Sequence, residues 1–253
     1  MYYFTTHNYG VGIKYRVNEN FFDKWNPVMA YVLGYWYADG SMYPSVRGSY
    51  INVTSIDRST IEKIKNWLSS EHTIRKDERS TGANNKTRFV LRIGNKSLYN
   101  SLIRLGLYPS KSLSVRLPPI PNKFFSHFVR GYFDGDGCVY LYQTKGVRQE
   151  LIIKKLSIIF TSGSNDFLRD LLMRLKRHLN LKQSRVYEGQ RAFQLRFSTA
   201  DTVDLFKFLY KNMDDELWLD RKFQRFLKYF SIRPQRIDKE IRLILNKYGH
   251  VAK

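Results

Sequence analysis

Two aspartates close two similar stretches of this chain. Val32-Leu33-Gly34-Tyr35-Trp36-Tyr37-Ala38-Asp39-Gly40 and Val129-Arg130-Gly131-Tyr132-Phe133-Asp134-Gly135-Asp136-Gly137 put Asp39 and Asp136 97 residues apart. A carboxylate is a hard oxygen donor, and one or two of them, with waters and a substrate phosphate, suffice for Mg2+. A calcium loop does not fit Asp134-Gly135-Asp136-Gly137: with Gly137 as its turn glycine, the first position is Tyr132 and the twelfth Gln143. The chemistry on offer is that of a cation shared by two acids.

Something must bring those acids together. Each stretch follows a proline (Pro27, Pro121), runs through aromatic and aliphatic residues, and ends in Asp-Gly. Proline at a first helical turn and glycine past the last predict buried helices near 27–39 and 121–136, with Gly40 and Gly137 able to take the left-handed cap. Gly34 and Ala38 are four apart, as are Gly131 and Gly135, so each helix has a flank without bulk. Glycine inside a helix costs about 1 kcal/mol against alanine, which is tolerable where another backbone comes very close. Two such helices packed in parallel, flank to flank, satisfy that condition. Each carboxylate then sits at the negative end of a helix dipole, unfavourable by roughly 0.3–1 kcal/mol, and beside its twin. A divalent cation between them removes both penalties.

The 253 residues can bury a good core, and 43% hydrophobic and 15% aromatic content excludes disorder. Lys+Arg 43 against Asp+Glu 22 gives a net charge of +21, a field that attracts polyanions. No stretch is long and apolar enough to span a membrane, and the N-terminus lacks a secretion layout. The single cysteine, Cys138, allows neither an internal disulfide nor a zinc cluster. These features fit a reducing, intracellular setting, such as a bacterial cytoplasm or an organelle matrix.

Taken in order, residues 1–25 read as an arm. After the first motif, alternation predicts strands at 41–47 and 50–55 turning at Gly48-Ser49, and a helix from Asp57, its cap, to Leu68. A second hairpin (73–79 and 87–93) and a helix (96–105) follow. Residues 106–120, with Pro118-Pro119, form a linker. The series then restarts: strands at 139–144 and 151–160, a helix at 165–179, strands at 184–188 and 192–198, and helices at 201–210 and 217–229. The tail from Gln235 has a helical pattern. The expectation is an α+β fold of two αββαββα repeats, residues 1–118 and 119–253.

The paired stretches resemble the two signature motifs of the LAGLIDADG homing endonucleases, the single-chain kind with both motifs in one polypeptide. The resemblance covers nearly the whole chain. It implies paired motif helices at the interface between repeats and two antiparallel sheets forming a saddle over double-stranded DNA. It also implies metal-dependent cleavage of both strands by a monomer. Asp39 and Asp136 would be the catalytic metal ligands, joined by the backbone carbonyls of Ala38 and Gly135. The family's basic residue, which follows the last helix of each repeat, matches Lys111 and Lys222, with Arg221 competing for the second place. Ser55 and Ser162 stand where the family often has a water-ordering side chain. Tyr37 replaces the acid that Asp134 retains, at a position given no catalytic role.

The sheet face away from the helices is expected to read DNA. In the first half it would carry Tyr43, Arg47, Asn52, Thr54, Arg75, Arg79, Arg88 and Arg92. In the second it would carry Tyr140, Tyr142, Lys154, Arg185, Tyr187, Gln194 and Arg196. Such ribbons fit a major groove, where arginine suits guanine and Asn or Gln suits adenine; the plainer reading is a solvated sheet face. Val53, Phe89, Leu91, Ile93, Ile158, Phe193, Leu195 and Phe197 would face the helices.

Mg2+ is the expected cofactor; Mn2+ is expected to substitute, and Ca2+ to support binding without cleavage. Met1-Tyr2 and residues 249–253 lack splice-junction residues, so an intron-encoded or free-standing protein is expected rather than part of an intein. A rival reading is an RNA maturase using the same fold, with intron RNA as partner. Another is a DNA-binding regulator, for which the tail is short.

Overall fold

The computed structural model describes residues 15–78, 87–147, 151–213 and 217–248. Helix α1 (Pro27–Asp39) starts with Pro27 at its first turn, and the Asn26 side chain accepts from the Met29 N–H. Strands β1 (Gly40–Ser45) and β2 (Gly48–Ser55), helix α2 (Arg58–Trp67), strands β3 (Ile74–Asp77) and β4 (Arg88–Gly94), and helix α3 (Lys96–Arg104) follow. The second series is α4 (Phe125–Asp136), β5 (Gly137–Lys145), β6 (Leu151–Ser162), α5 (Asn165–Lys176), β7 (Arg185–Glu188), β8 (Phe193–Arg196), α6 (Thr199–Tyr210) and α7 (Asp220–Ile232). Helix α8 (Lys239–Tyr248) follows, burying Ile241, Ile244 and Tyr248. The fold is α+β, two repeats, each with one antiparallel four-stranded sheet: β1-β2-β4-β3 and β5-β6-β8-β7.

Cross-strand pairs put Ser41 opposite Asn52 and Asn52 opposite Arg92. Tyr43, Thr54, Arg75 and Arg88 share that open face by strand alternation. Val53, Leu91 and Ile93 lie on the other face in the core, with Phe89 partly buried against it. In the second sheet Tyr140, Tyr142, Arg185, Tyr187, Gln194 and Arg196 share the open face by the same register. Ile158, Leu195 and Phe197 are core, and Phe193 packs on it.

Several expectations are corrected. Gly40 and Gly137 are extended (φ −88° and −80°), not left-handed, and open β1 and β5. Their glycine requirement is one of space: a methyl group at either would stand 2.4 Å from the carbonyl oxygen of Trp36 or Phe133. The stretch after Pro121 enters through a 3-10 turn, Asn122–Phe124, so α4 begins at Phe125. The β1–β2 turn falls at Val46-Arg47 instead of Gly48-Ser49, leaving Arg47 at the hairpin tip and not on the sheet face. Lys154 is the extra residue at a register shift opposite Tyr142/Gln143, and Lys155 takes the paired place beside Tyr142. Asp57 holds the N-cap position of α2 without a side-chain cap bond, because its carboxylate binds Arg221 instead. Arg79 lies outside the described residues.

The repeats brace each other crosswise. The linker packs on α5 through Arg116 to Asp166 (2.7 Å) and Asp170 (2.9 Å), and the Ser164 hydroxyl donates to the Val115 carbonyl. In return, Arg221 at the start of α7 reaches Asp57 before α2 at 2.9 Å.

Candidate active site

Helices α1 and α4 touch through their bare flanks. A methyl group on Gly34 would stand 2.0 Å from the Phe128 carbonyl oxygen, and one on Gly131 1.9 Å from that of Tyr31. Nearer the C-terminal ends, one on Gly135 would lie 2.3 Å from Ala38 Cβ and 3.4 Å from Asp39 Oδ2. The contacts run 31–38 against 128–135, so the helices are parallel and their acidic tips adjoin.

The charges record that proximity. Burial, then the neighbouring Asp39 carboxylate, push Asp136 up to about 6, against the pull of Lys111 and Lys222. Burial also raises Asp39, while Lys222, Lys111 and the nearby Tyr35 hydroxyl draw it back. Two acids held together and partly dried are electrostatically unsatisfied, and all the donors there are oxygens. That set fits Mg2+, which binds through one or two carboxylates and keeps its waters for phosphate. Among the described residues no three His, Cys, Asp or Glu side chains converge, so two carboxylates are the full acidic complement.

Both lysines reach this floor. Lys111 is 7% exposed and donates to the Tyr37 carbonyl at 2.9 Å. Lys222 is 4% exposed and donates to the carbonyls of Phe133, Asp134 (2.8 Å) and Gly135 (3.2 Å). Tyr37 and Asp134 occupy equivalent places in the two motifs, so the lysines are pseudo-symmetric mates. Arg221 is turned away to Asp57. Burial lowers Lys111, against the pull of Asp136 and Asp39. Burial lowers Lys222 to about 8, Asp134 being the strongest opposing charge. The Gly135 carbonyl thus already carries an ammonium contact.

Tyr37 and Asp134 turn out to anchor the lysine-bearing segments. The Tyr37 hydroxyl donates to the Leu105 carbonyl at 2.7 Å, just ahead of Lys111. Asp134 Oδ2 accepts from the Leu219 N–H at 2.9 Å and from the Tyr31 hydroxyl at 2.8 Å, just ahead of Lys222. Arg130, wholly buried, adds bonds to the Leu209 and Leu217 carbonyls. Helix α4 also carries Ser126, His127 and Asp134, so nothing in the sequence singles Arg130 out as this anchor. Ser55 is occupied by Tyr35 and the Asp57 N–H, both donating to its hydroxyl at 3.0 Å. Ser162 accepts from the Ser164 N–H at 3.1 Å. Thr54 sits beside the site, donating to the Asp39 carbonyl at 3.5 Å.

On the open faces, Asn52 and Gln194 are engaged by arginines: Arg92 Nε donates to Asn52 at 3.3 Å, and Arg196 donates through Nε to Gln194 at 3.0 Å. The other expected DNA residues on the described strands lie on the same faces, Arg47 and Lys154 as corrected above.

Among solved structures, the chain is similar to the homing endonuclease I-WcaI bound to its DNA recognition sequence, at 13% identity, TM-score 0.56, over 81% of this chain and 90% of that one. It is similar to the meganuclease I-SmaMI bound to uncleavable DNA at 14% identity, TM-score 0.55, over 90% and 97%. At these identities the likeness concerns the fold. A stretch of 149 residues, 56% of the chain, is 32% identical to a probable translation initiation factor IF-2 of Thermococcus kodakarensis, spanning 12% of that protein. The LAGLIDADG-like domain family model matches twice, over residues 26–106 and 125–207, one match for each motif helix with its sheet. With both copies of that domain in one polypeptide, the chain belongs to the LAGLIDADG-like domain family.

Proposed function

We propose that the chain is a monomeric, site-specific homing endonuclease that cuts both strands of a long DNA duplex by metal-dependent phosphodiester hydrolysis. The observation that carries this reading is the pairing of two half-buried carboxylates with two buried ammoniums, all at adjoining helix ends between two open basic sheets. That relatives of the same fold are described with DNA bound supports the choice of polymer.

Asp39 and Asp136 would hold Mg2+, with the Ala38 carbonyl beside them and the Gly135 carbonyl shared with the Lys222 ammonium. Bound there, the ion supplies Lewis-acid charge to a phosphoryl oxygen and acidifies a water. Lys111 and Lys222 place positive charge where the phosphate gains negative charge, fixed in advance by the carbonyls they grip. The parallel helices fill each other's bare flanks, so one chain provides the whole site.

The test is incubation of the purified chain and Mg2+ with duplex DNA joining the two sequences that flank its reading frame. Double-strand cutting is expected, lost in Asp39→Asn and Asp136→Asn with binding largely kept. Mn2+ should replace Mg2+, and Ca2+ should allow binding alone. Absence of cutting, combined with tight binding to the intervening RNA, would replace this reading with the maturase one.

A further inference from the structure

Each sheet holds one arginine already shaped for a base. On β4, Arg92 donates from Nε to Asn52 Oδ1 at 3.3 Å and lies over the Tyr43 ring at 5.8 Å. Tyr43 is itself stacked on Tyr50, at 5.3 Å, and Asn52 Nδ2 leans on the Ser41 hydroxyl. On β8, Arg196 donates from Nε (3.0 Å) and Nη2 (2.6 Å) to Gln194 Oε1 and lies over the Tyr187 ring at 5.2 Å. The strand registers make the two arginines equivalent. Gly40 pairs with Val53 and Asn52 with Arg92; Gly137 pairs with Phe160 and Ile159 with Arg196. Both stand in the first open-face row to which β1, or β5, contributes after its aspartate. The braces differ, however. Tyr43 lies one row farther from the aspartates than Arg92, whereas Gln194 and Tyr187 lie one row nearer them than Arg196.

The carboxamide oxygen takes the Nε side of each guanidinium, through Nε alone in Arg92 and through Nε and one Nη2 N–H in Arg196, with a tyrosine ring beside it; the end-on edge, one N–H each of Nη1 and Nη2, is left as a fork. That fork matches guanine O6 and N7 in the major groove. Holding it in place beforehand reduces the side-chain ordering that binding must otherwise impose. A phosphate contact needs no such bracing, since it positions without reading sequence.

We infer that Arg92 and Arg196 each read a guanine, one in each half of the target, and that Asn52 and Gln194 hold these arginines instead of reading adenine. Because Arg196 is braced inward and Arg92 outward, the second-half guanine lies closer to the cutting centre. This inference rests on the DNA-binding part of the proposed function and names what that surface recognises.

The test is a binding selection by the full chain from a randomised duplex library in EDTA, followed by competition with single base-pair changes in the enriched site. One G·C pair per half is expected at unequal distances from the centre. Arg92→Ala and Arg196→Ala, both exposed positions, should each abolish discrimination at one of them, about 5- to 150-fold. Asn52→Ala and Gln194→Ala should weaken the same discrimination without moving it to another base. The inference is overturned if either arginine variant weakens all duplexes equally, as a phosphate contact does, or if Asn52→Ala or Gln194→Ala instead removes a preference for A·T. A folded chain that enriches no duplex would remove the DNA-binding reading as well.

Discussion

An ammonium ion that is 4% exposed keeps its proton only where oxygens surround it, and Lys222 has three carbonyls at the end of α4. Those carbonyls also carry the negative pole of the helix, which favours a cation there. Arg221, one residue earlier, spends its charge on Asp57 at the surface. Lys222→Ala should therefore slow cutting about 100-fold or more, the scale of losing one preorganised charge, while Arg221→Ala should cut nearly normally; single-turnover rates on the same duplex check both. Asp136 yields a pH prediction. Its carboxyl, raised from 3.8 to about 6, binds more protons folded than unfolded between those values. Stability of the metal-free protein therefore falls as pH rises from about 4 to about 6. Asp136→Asn should stabilise the protein in EDTA above pH 6 by on the order of 1–3 kcal/mol, seen as a higher melting temperature, and have little effect near pH 4. Equal effects at both pH values would show that the carboxylate is not under strain. The two aspartates are legible in the sequence because each closes a copy of the repeated motif, whereas Lys111 and Lys222, 111 − 39 = 72 and 222 − 136 = 86 residues further on, are picked out there only through the family resemblance. The roles of Arg130 and Tyr35 are not legible, because their partners, the end of α6 with the loop after it and the end of β2, are remote in sequence.

At the scale of elements, the site exists because two helices approach within backbone contact. Gly34→Ala and Gly131→Ala gain roughly 1 kcal/mol of helix propensity. They also force a methyl group to about 2 Å from a carbonyl oxygen of the opposite helix, which can be relieved only by moving a backbone. The steric loss, roughly 1–3 kcal/mol or more, outweighs the gain, so both variants should melt earlier and cut poorly. Gly135→Ala meets a side-chain methyl, Ala38 Cβ, and the Asp39 carboxylate. Its fold should survive better than its activity, and thermal melts alongside cutting rates separate the two effects. Hydrophobic periodicity and the repeat make the order of helices and strands legible in the sequence. The turn at Val46-Arg47 is not, since Gly48-Ser49 carries the commoner turn residues and Gly48 does adopt a positive φ of 138° at the first residue of β2. The bulge at Lys154 is also invisible there, because two adjacent lysines between core residues look like ordinary alternation with a slip.

At the scale of the whole molecule, the acids are spent away from the open sheet faces. Asp57, Asp166 and Asp170 pair with arginines between the repeats, Asp134 is buried, and Asp201 binds the Lys182 and Gln183 N–H groups and the Ser184 hydroxyl. On the open faces of the described strands, Arg75, Arg88, Arg92, Lys155, Arg185 and Arg196 are offset by Asp77 alone. These faces therefore carry a local excess of 6 − 1 = 5 positive charges out of the net +21 of the chain. Neutralising phosphates releases condensed counterions, so log affinity should fall linearly with log salt at about −0.9 per phosphate contacted. A saddle making 6–10 such contacts loses about 10³–10⁵ in affinity between 50 and 200 mM salt. Titrating a labelled duplex with the chain in EDTA over that range should give such a slope, and Arg75→Ala combined with Arg88→Ala should lower it by about 2. A slope unchanged by that pair would mean that the polyanion lies elsewhere on the molecule, away from the two faces that flank Asp39 and Asp136.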